Sequence, residues 1–156
     1  VTGVQTCALP IYELLLTTGN KSEIATGYCT IYGDMNGAFN PIKDLYKTEV
    51  YETVKWRGGL PERVLTKAPT AELRENQTDQ DSLPPYDILD AILRQMIEGR
   101  KTADEVTGYD STTVKKVAHL IKISEFKRRQ SAPGVKLSSV SFGKDWRIPM
   151  SNKFKQ

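Results

Sequence analysis

The clearest pattern of hydrophobic and polar positions in this chain is an apolar stripe at helical spacing that follows Pro84 and Pro85. It predicts a helix over residues 86–98 that ends at Gly99, because proline favours a helix start and glycine favours a helix end. A second stripe predicts a helix over about residues 111–122. We expect both stripes to face the core, with these members: Ile88, Leu89, Ile92, Leu93, Met96, Ile97, Val114, Val117, Leu120 and Ile121.

The pattern in the first part of the chain is that of a strand followed by a helix. Residues 13–18 contain three consecutive leucines, which suits a strand covered on both faces in a parallel sheet. Asn20 can cap a helix, and the apolar spacing after it predicts a helix to about Tyr32 that stops at Gly33. A strand that ends in small polar residues before a helix start is the layout of a nucleotide site.

Three further stretches carry weaker patterns. Residues 47–56 predict a helix closed by Gly58 and Gly59. Residues 72–82 are acidic and lack periodicity, so we expect an exposed, mobile loop there. From Ser124 onward basic residues outnumber acidic ones, and we expect a mostly irregular tail.

Composition restricts the class of protein. A length of 156 residues with 38% hydrophobic residues suits one modest soluble domain, and a net charge of +3 is low for a dedicated nucleic-acid binder. No apolar run is long enough for a membrane span, so we expect a cytoplasmic protein. Cys7 and Cys29 are too few and too far apart for a metal cluster or a disulfide framework.

Residues 1–11, VTGVQTCALPI, match no element pattern. Their reverse translation reproduces a sequencing-library adapter, and the leftover T begins a Tyr codon for Tyr12. We therefore expect residues 1–11 to be a non-native segment and residues 12–156 to be the part of the chain that forms the domain.

Several candidate residues have both a structural and a chemical interpretation. Glu23 lies at capping-box spacing from Asn20, yet a carboxylate beside a phosphate site can hold Mg²⁺ or a ribose hydroxyl. Thr18 suits a strand by propensity, or it hydrogen-bonds a nucleotide from the strand end. Lys47 at a helix start is unfavourable unless an anion lies there. The run 127–129, Lys-Arg-Arg, is either a solvated basic face or a phosphate-binding group.

Five segments, taken together and in order, resemble the synthetase domain of the NAD⁺ synthetase family. They are TTGNKSE (17–23), TGYCTIYGD (26–34), KAPTAELR (67–74), DQDSLPPYD (79–87) and FKRRQ (126–130). TTGNKSE and DSLPPYD are closest to the glutamine-dependent branch. The resemblance extends over residues 14–154, and Phe126 and Ala38 depart from the ammonia-only members in ways that fit this branch.

The resemblance implies an α/β fold, the three-layer nucleotide-binding domain of the ATP pyrophosphatases (adenine nucleotide alpha hydrolase-like), mostly helical in this part. It implies a carbon–nitrogen ligase that uses ATP and Mg²⁺ to adenylate deamido-NAD⁺, after which ammonia displaces AMP. The ammonia comes from glutamine hydrolysis in an upstream domain. The resemblance further implies that the full-length protein is a homo-oligomer without nucleic-acid or membrane partners.

The resemblance also assigns roles to ten residues. The ATP-binding positions are Thr18, Lys47 and Thr70. The deamido-NAD⁺-binding positions are Glu23, Tyr28, Cys29, Thr30, Ile31 and Lys127. Asp34 and Lys47 are the catalytic positions, and Glu23 is also the metal position. The family's Ser-Gly-Gly-x-Asp-Ser pyrophosphate loop does not occur in the sequence, so we expect it upstream of Tyr12 and expect this truncated fragment to be inactive.

Two alternatives remain open at this point. Another amide ligase of the ATP pyrophosphatase type shares the general layout, although the long stretch from KAPTAELR to DSLPPYD argues against it. A non-enzymatic helical module that binds RNA or protein through the basic C-terminal tail is an alternative from a different class, and it predicts salt-sensitive RNA binding without nucleotide dependence.

Overall fold

A computed structural model of the chain describes residues 12–70 and 78–151. The helices are α1 (Lys21–Thr26), α2 (Lys47–Arg57), α3 (Arg63–Thr66), α4 (Tyr86–Ile97), α5 (Ser111–Ile123) and α6 (Glu125–Arg128). Within the described residues, β-structure consists of three isolated parallel bridges, which join Leu16 to Phe39, Asn40 to Gly134 and Phe142 to Trp146. The regular secondary structure of the described part is therefore mainly helical, in agreement with what the resemblance implies.

The two apolar stripes form the core, which confirms the clearest prediction. In α4 the side chains of Leu89, Ile92, Leu93 and Ile97 are fully buried, and in α5 Val114, Val117 and Ile121 are buried against them. Each such side chain stabilises the fold by about 1.5–3 kcal/mol. Asp110 caps α5 by accepting a hydrogen bond from the Thr113 N–H at 2.9 Å.

The predicted strand over residues 13–18 is much shorter than expected. Its pairing consists of two backbone hydrogen bonds of 2.9 Å, from Thr17 N–H to the Phe39 carbonyl and from Ala38 N–H to the Leu15 carbonyl. Leu14 and Leu16 are 63% and 53% exposed, so the prediction of a strand covered on both faces is wrong for the described residues. A strand is buried on both faces only where other elements pack on both faces, and the described residues leave the face of Leu14 and Leu16 uncovered.

The first helix also ends earlier than its pattern predicts. It stops at Thr26, because Gly27 adopts the left-handed conformation (φ 69°) and returns its N–H to the Glu23 carbonyl. Gly27 is also packed so closely that a Cβ there would lie 2.2 Å from the Ser124 hydroxyl oxygen. Residues 28–34 therefore form a loop, not two further helical turns.

Helix α1 is short but central, since it contacts α2, α4, α5 and α6. Lys21 on this helix is fully buried. Its Nζ donates to Glu98 Oε1 at 2.6 Å and lies 3.1 Å from Asp44 Oδ1. These bonds join the start of α1 to the end of α4 and to the loop before α2.

Within the stretch 72–82, which we expect to be an exposed, mobile loop, residues 80–82 are exposed as predicted, whereas Asp79 is buried. Residues 71–77 and the expected non-native segment 1–11 lie outside the described residues. Asp79–Asp81 forms a 3-10 turn, and Asp79 is buried beneath it. None of the helices in the described ranges is long and apolar enough to cross a membrane.

Candidate functional site

A cavity of about 610 Å³ opens between α1, the loop that follows it, and the start of α2. Nine of the ten residues assigned a role by the sequence analysis line this cavity: Thr18, Glu23, Tyr28, Cys29, Thr30, Asp34, Lys47, Thr70 and Lys127. Ile31 is the exception, being half-buried outside the lining. Among the described residues, Gly19, Gly27, Gly33 and Asp79 also line the cavity.

Glu23 forms the predicted capping box and also lines the cavity. Its Oε2 accepts a hydrogen bond from the Asn20 N–H at 3.0 Å, and the Asn20 side chain accepts from the Glu23 N–H at 3.1 Å, so the capping box is present. The other oxygen, Oε1, lies 3.2 Å from Lys47 Nζ. Burial raises the pKa of the Glu23 carboxyl, against the opposing effect of Lys47. The capping role therefore leaves one oxygen for the cavity.

Lys47 begins α2 with an anion beside it, which explains a cation in the first turn. That anion is Glu23, and the Lys47 ammonium also lies over the Tyr86 ring, 5.4 Å from its centroid. The backbone N–H of Lys47 donates to the Ser22 hydroxyl at 2.9 Å. The first turn of α2 is thus fixed against α1, and the lysine side chain extends along the cavity wall.

The loop over residues 28–34 is held by its own side chains and by Lys127. The Asp34 carboxylate accepts hydrogen bonds from the Thr30 N–H, at 2.6 Å, and from the Thr30 hydroxyl. Lys127 Nζ donates to the Gly27 and Cys29 carbonyls at 2.7 Å each. Burial raises the pKa of the Cys29 thiol to about 11, so this thiol is protonated near neutral pH.

The basic run 127–129 is divided between two environments. Lys127 lines the cavity, whereas Arg128 is only 4% exposed and forms its hydrogen bonds within the protein interior. The Arg128 guanidinium donates to Glu125 Oε2 at 3.0 Å, to the Ala25 carbonyl at 2.6 Å and to the Ile121 carbonyl. Arg128 is therefore not part of a solvated face, and it does not line this cavity.

Asp79 is the residue in the cavity wall that sequence reasoning missed. Its turn is brought to the site by a 3.0 Å hydrogen bond from the Asp79 N–H to the Pro69 carbonyl, next to Thr70. One feature of the sequence could have indicated its position. The acidic stretch ends at Pro84 and Pro85, directly before the apolar stripe of α4, so the chain returns to the core there.

Comparisons with known proteins identify the class and then the family. A solved glutamine-dependent NAD(+) synthetase from Cytophaga hutchinsonii matches with a TM-score of 0.77 at 23% identity, covering 96% of this chain and 26% of that one. The NMN synthetase from Francisella tularensis matches with a TM-score of 0.68 at 26% identity, covering 81% of this chain and 49% of that one. The chain thus has the α/β nucleotide-binding fold of these proteins.

The family model for NAD synthase matches residues 5–131. The glutamine-dependent NAD(+) synthetase of Rhodobacter capsulatus is 54% identical over 157 residues, covering 91% of this chain and 28% of the relative. That of Thermotoga maritima is 54% identical over 151 residues, covering 92% and 26%. The chain belongs to the NAD synthase family, and it spans about a quarter of the length of these relatives.

Proposed function

We propose that this chain forms part of the amide-forming site of a glutamine-dependent NAD⁺ synthetase. In this reaction ATP adenylates the carboxylate of deamido-NAD⁺ and releases pyrophosphate, and ammonia from glutamine then displaces AMP. The proposal includes the three-layer ATP pyrophosphatase arrangement for the complete domain. It is supported by relatives of that name at 54% identity over nine-tenths of the chain.

The observation that carries this proposal is the convergence of the assigned residues. Nine of the ten come from separate parts of the chain, from Thr18 to Lys127, and line one cavity of about 610 Å³. Cofactor and substrate sites are typically concave and of this size. A basic RNA-binding face is less well supported, because Arg128 is buried and Lys127 donates to two backbone carbonyls.

The cavity carries charges suited to adenylation. As the substrate carboxylate attacks the α-phosphorus of ATP, negative charge is carried by the phosphoryl oxygens and the departing pyrophosphate. A cation that is already oriented toward these oxygens lowers the barrier to this step most effectively. Lys47 is held in this way by Glu23 at 3.2 Å. We assign Lys47, Thr18 and Thr70 to ATP, and Asp34 with Lys47 to the reaction centre.

The loop after α1 and Lys127 form the deamido-NAD⁺ side of the proposed site. Lys127 fixes the backbone of this loop at two carbonyls, so a bound dinucleotide meets a positioned surface at Tyr28 and Thr30. Ile31 lies outside the lining, so we assign it a role in supporting the loop.

Mg²⁺ fits this site as a companion of ATP. Among the described residues, no group of three or more acidic, His or Cys side chains could hold a metal ion by itself. Mg²⁺ in nucleotide sites is commonly held by one or two carboxylates together with phosphates, and Glu23 is the carboxylate that we assign to it. When bound, Mg²⁺ neutralises phosphate charge.

A hybrid enzyme tests the proposal. In this hybrid residues 12–156 of the present chain replace the matching segment of the Rhodobacter capsulatus synthetase, and the unmodified host serves as the control. We expect AMP and NAD⁺ to form from ATP, deamido-NAD⁺ and either ammonia or glutamine. A hybrid that unfolds cooperatively but forms neither product with either nitrogen donor contradicts the proposal.

A further inference from the structure

Asp79 is a buried carboxylate in the wall of the cavity. It is 3% exposed and begins the 3-10 turn Asp79–Asp81. Its Oδ2 accepts a hydrogen bond from the Tyr86 hydroxyl at 2.6 Å, and its backbone N–H donates to the Pro69 carbonyl at 3.0 Å. Asp79 is therefore fixed from two sides, beside Thr70.

The second carboxylate oxygen, Oδ1, is buried and has no hydrogen-bond partner among the described residues. Buried polar atoms nearly always have a partner, so an unpartnered oxygen on a residue that lines the cavity points to a ligand. The Tyr86 phenol does not serve it, because the single phenol proton is donated to Oδ2. Burial and the bond to Asp79 raise the pKa of Tyr86, which keeps that proton in place.

The charges around Asp79 select the kind of ligand group. A phosphate is repelled by a carboxylate. The nearby Lys47 ammonium lies 3.2 Å from Glu23 and is not a hydrogen-bond partner of Asp79 Oδ1, and the proposed function assigns Mg²⁺ to Glu23. The remaining partner for Oδ1 is an uncharged O–H or N–H donor.

We infer that Asp79 Oδ1 accepts a hydrogen bond from an uncharged donor of the adenine nucleotide, either a ribose hydroxyl or the amino group of the base. This inference rests on the proposed function. Because Asp79 is tied to Pro69, next to the proposed ATP-binding Thr70, we assign the donor to ATP and not to deamido-NAD⁺. Asp79 is then a binding residue that selects the nucleotide.

The hybrid enzyme tests this inference by calorimetric titration with four probes: ATP, 2′-deoxy-ATP, 3′-deoxy-ATP and purine riboside triphosphate, which lacks the amino group. We expect Asp79→Asn to weaken ATP binding about tenfold or more, because a hydrogen bond to a charged acceptor is lost. It should leave unchanged the affinity for the one analogue that lacks the donor. The thermal midpoint without ligand should not fall, because the variant removes a buried charge.

Asp81→Asn is the matched control, since Asp81 belongs to the same turn, bonds to Thr78 and does not line the cavity. Its ATP affinity should equal that of the unmodified hybrid. The unmodified hybrid alone also tests the inference, since one analogue must bind about tenfold more weakly than ATP.

Several outcomes overturn the role of Asp79. These are an equal loss for Asp79→Asn with all four probes, no loss with any of them, analogue affinities all equal to that of ATP, or a loss that disappears without Mg²⁺, which would indicate a metal ligand. A hybrid that binds neither ATP nor deamido-NAD⁺ instead contradicts the proposed function itself.

Discussion

Replacing Lys21 with methionine should destabilise the fold strongly, although Lys21 does not line the proposed site. Methionine keeps most of the apolar stem and removes the charge. Lys21 Nζ lies 2.6 Å from Glu98 and 3.1 Å from Asp44, and it also donates to the Ser138 hydroxyl at 2.7 Å and the Val140 carbonyl at 2.8 Å. Removing one partner of a buried pair typically costs about 3–5 kcal/mol, because the other charges remain buried.

The assay is thermal and urea unfolding of the 156-residue chain with and without Lys21→Met. A loss of about 3–5 kcal/mol corresponds to a fall of roughly 6–20 °C in the midpoint for a domain of this size. The control is Lys136→Met, which removes an equally short ion pair of 2.7 Å at an exposed position and should change the midpoint little. If Lys21→Met lowers the midpoint no more than this control, the buried network does not hold α1 in place.

The effect should also depend on pH. Burial opposes ionisation of Asp44, but hydrogen bonds from the Ser138 and Leu137 N–H groups, together with the charge of Lys21, lower its pKa overall. Because the pKa of Asp44 is lower in the folded than in the unfolded state, its ionised carboxylate stabilises the fold above roughly pH 4. This stabilisation is lost as the pH falls through the folded-state pKa. The deficit of Lys21→Met should therefore be larger at pH 7 than at pH 3, and a deficit independent of pH would contradict this explanation.

Two further predictions concern the cavity wall. Gly27→Ala should lower the unfolding midpoint in a thermal melt, because φ is 69° and the new Cβ would meet the Ser124 hydroxyl at 2.2 Å; an unchanged midpoint contradicts this packing. Cys29, with a thiol pKa of about 11, should react with iodoacetamide at pH 8.5 about 100-fold more slowly than a free cysteine, as measured by mass spectrometry in a Cys7→Ser background. Alkylation of Cys29 at the rate of free cysteine would contradict the raised pKa of this thiol.

Features set by neighbouring residues in the sequence could be predicted, whereas features set by packing between distant residues could not. The stripes of α4 and α5 are predictable because helical periodicity directly reports which face is buried. The end of α1 is not, since Gly27 and Gly33 are equally suitable terminators in the sequence. In the structure α1 ends at the first of these two glycines, where Gly27 packs against Ser124, about a hundred residues later in the chain. A contact between residues so far apart cannot be read from the local sequence.

The site shows the same division. Nine of the ten positions assigned from the family motifs line one cavity. Such positions can be predicted from sequence because residues that share one chemical task must lie close together in the fold. Burial of charged groups was not predictable, since Arg128 and Asp79 lie in runs of charged residues that are typical of solvated surfaces. Their partners, the Ala25 carbonyl and the Tyr86 hydroxyl, are supplied by the tertiary fold.

Pyrophosphate exchange in the hybrid enzyme shows whether the proposed site adenylates the carboxylate of deamido-NAD⁺. Without ammonia or glutamine, labelled pyrophosphate should enter ATP only when deamido-NAD⁺ is present, because the exchange reverses formation of the adenylate. Lys47→Met should reduce the exchange rate by about 10²–10³ without lowering the unfolding midpoint by more than a few degrees. Exchange that does not need deamido-NAD⁺, or that is unchanged in Lys47→Met, would contradict the account.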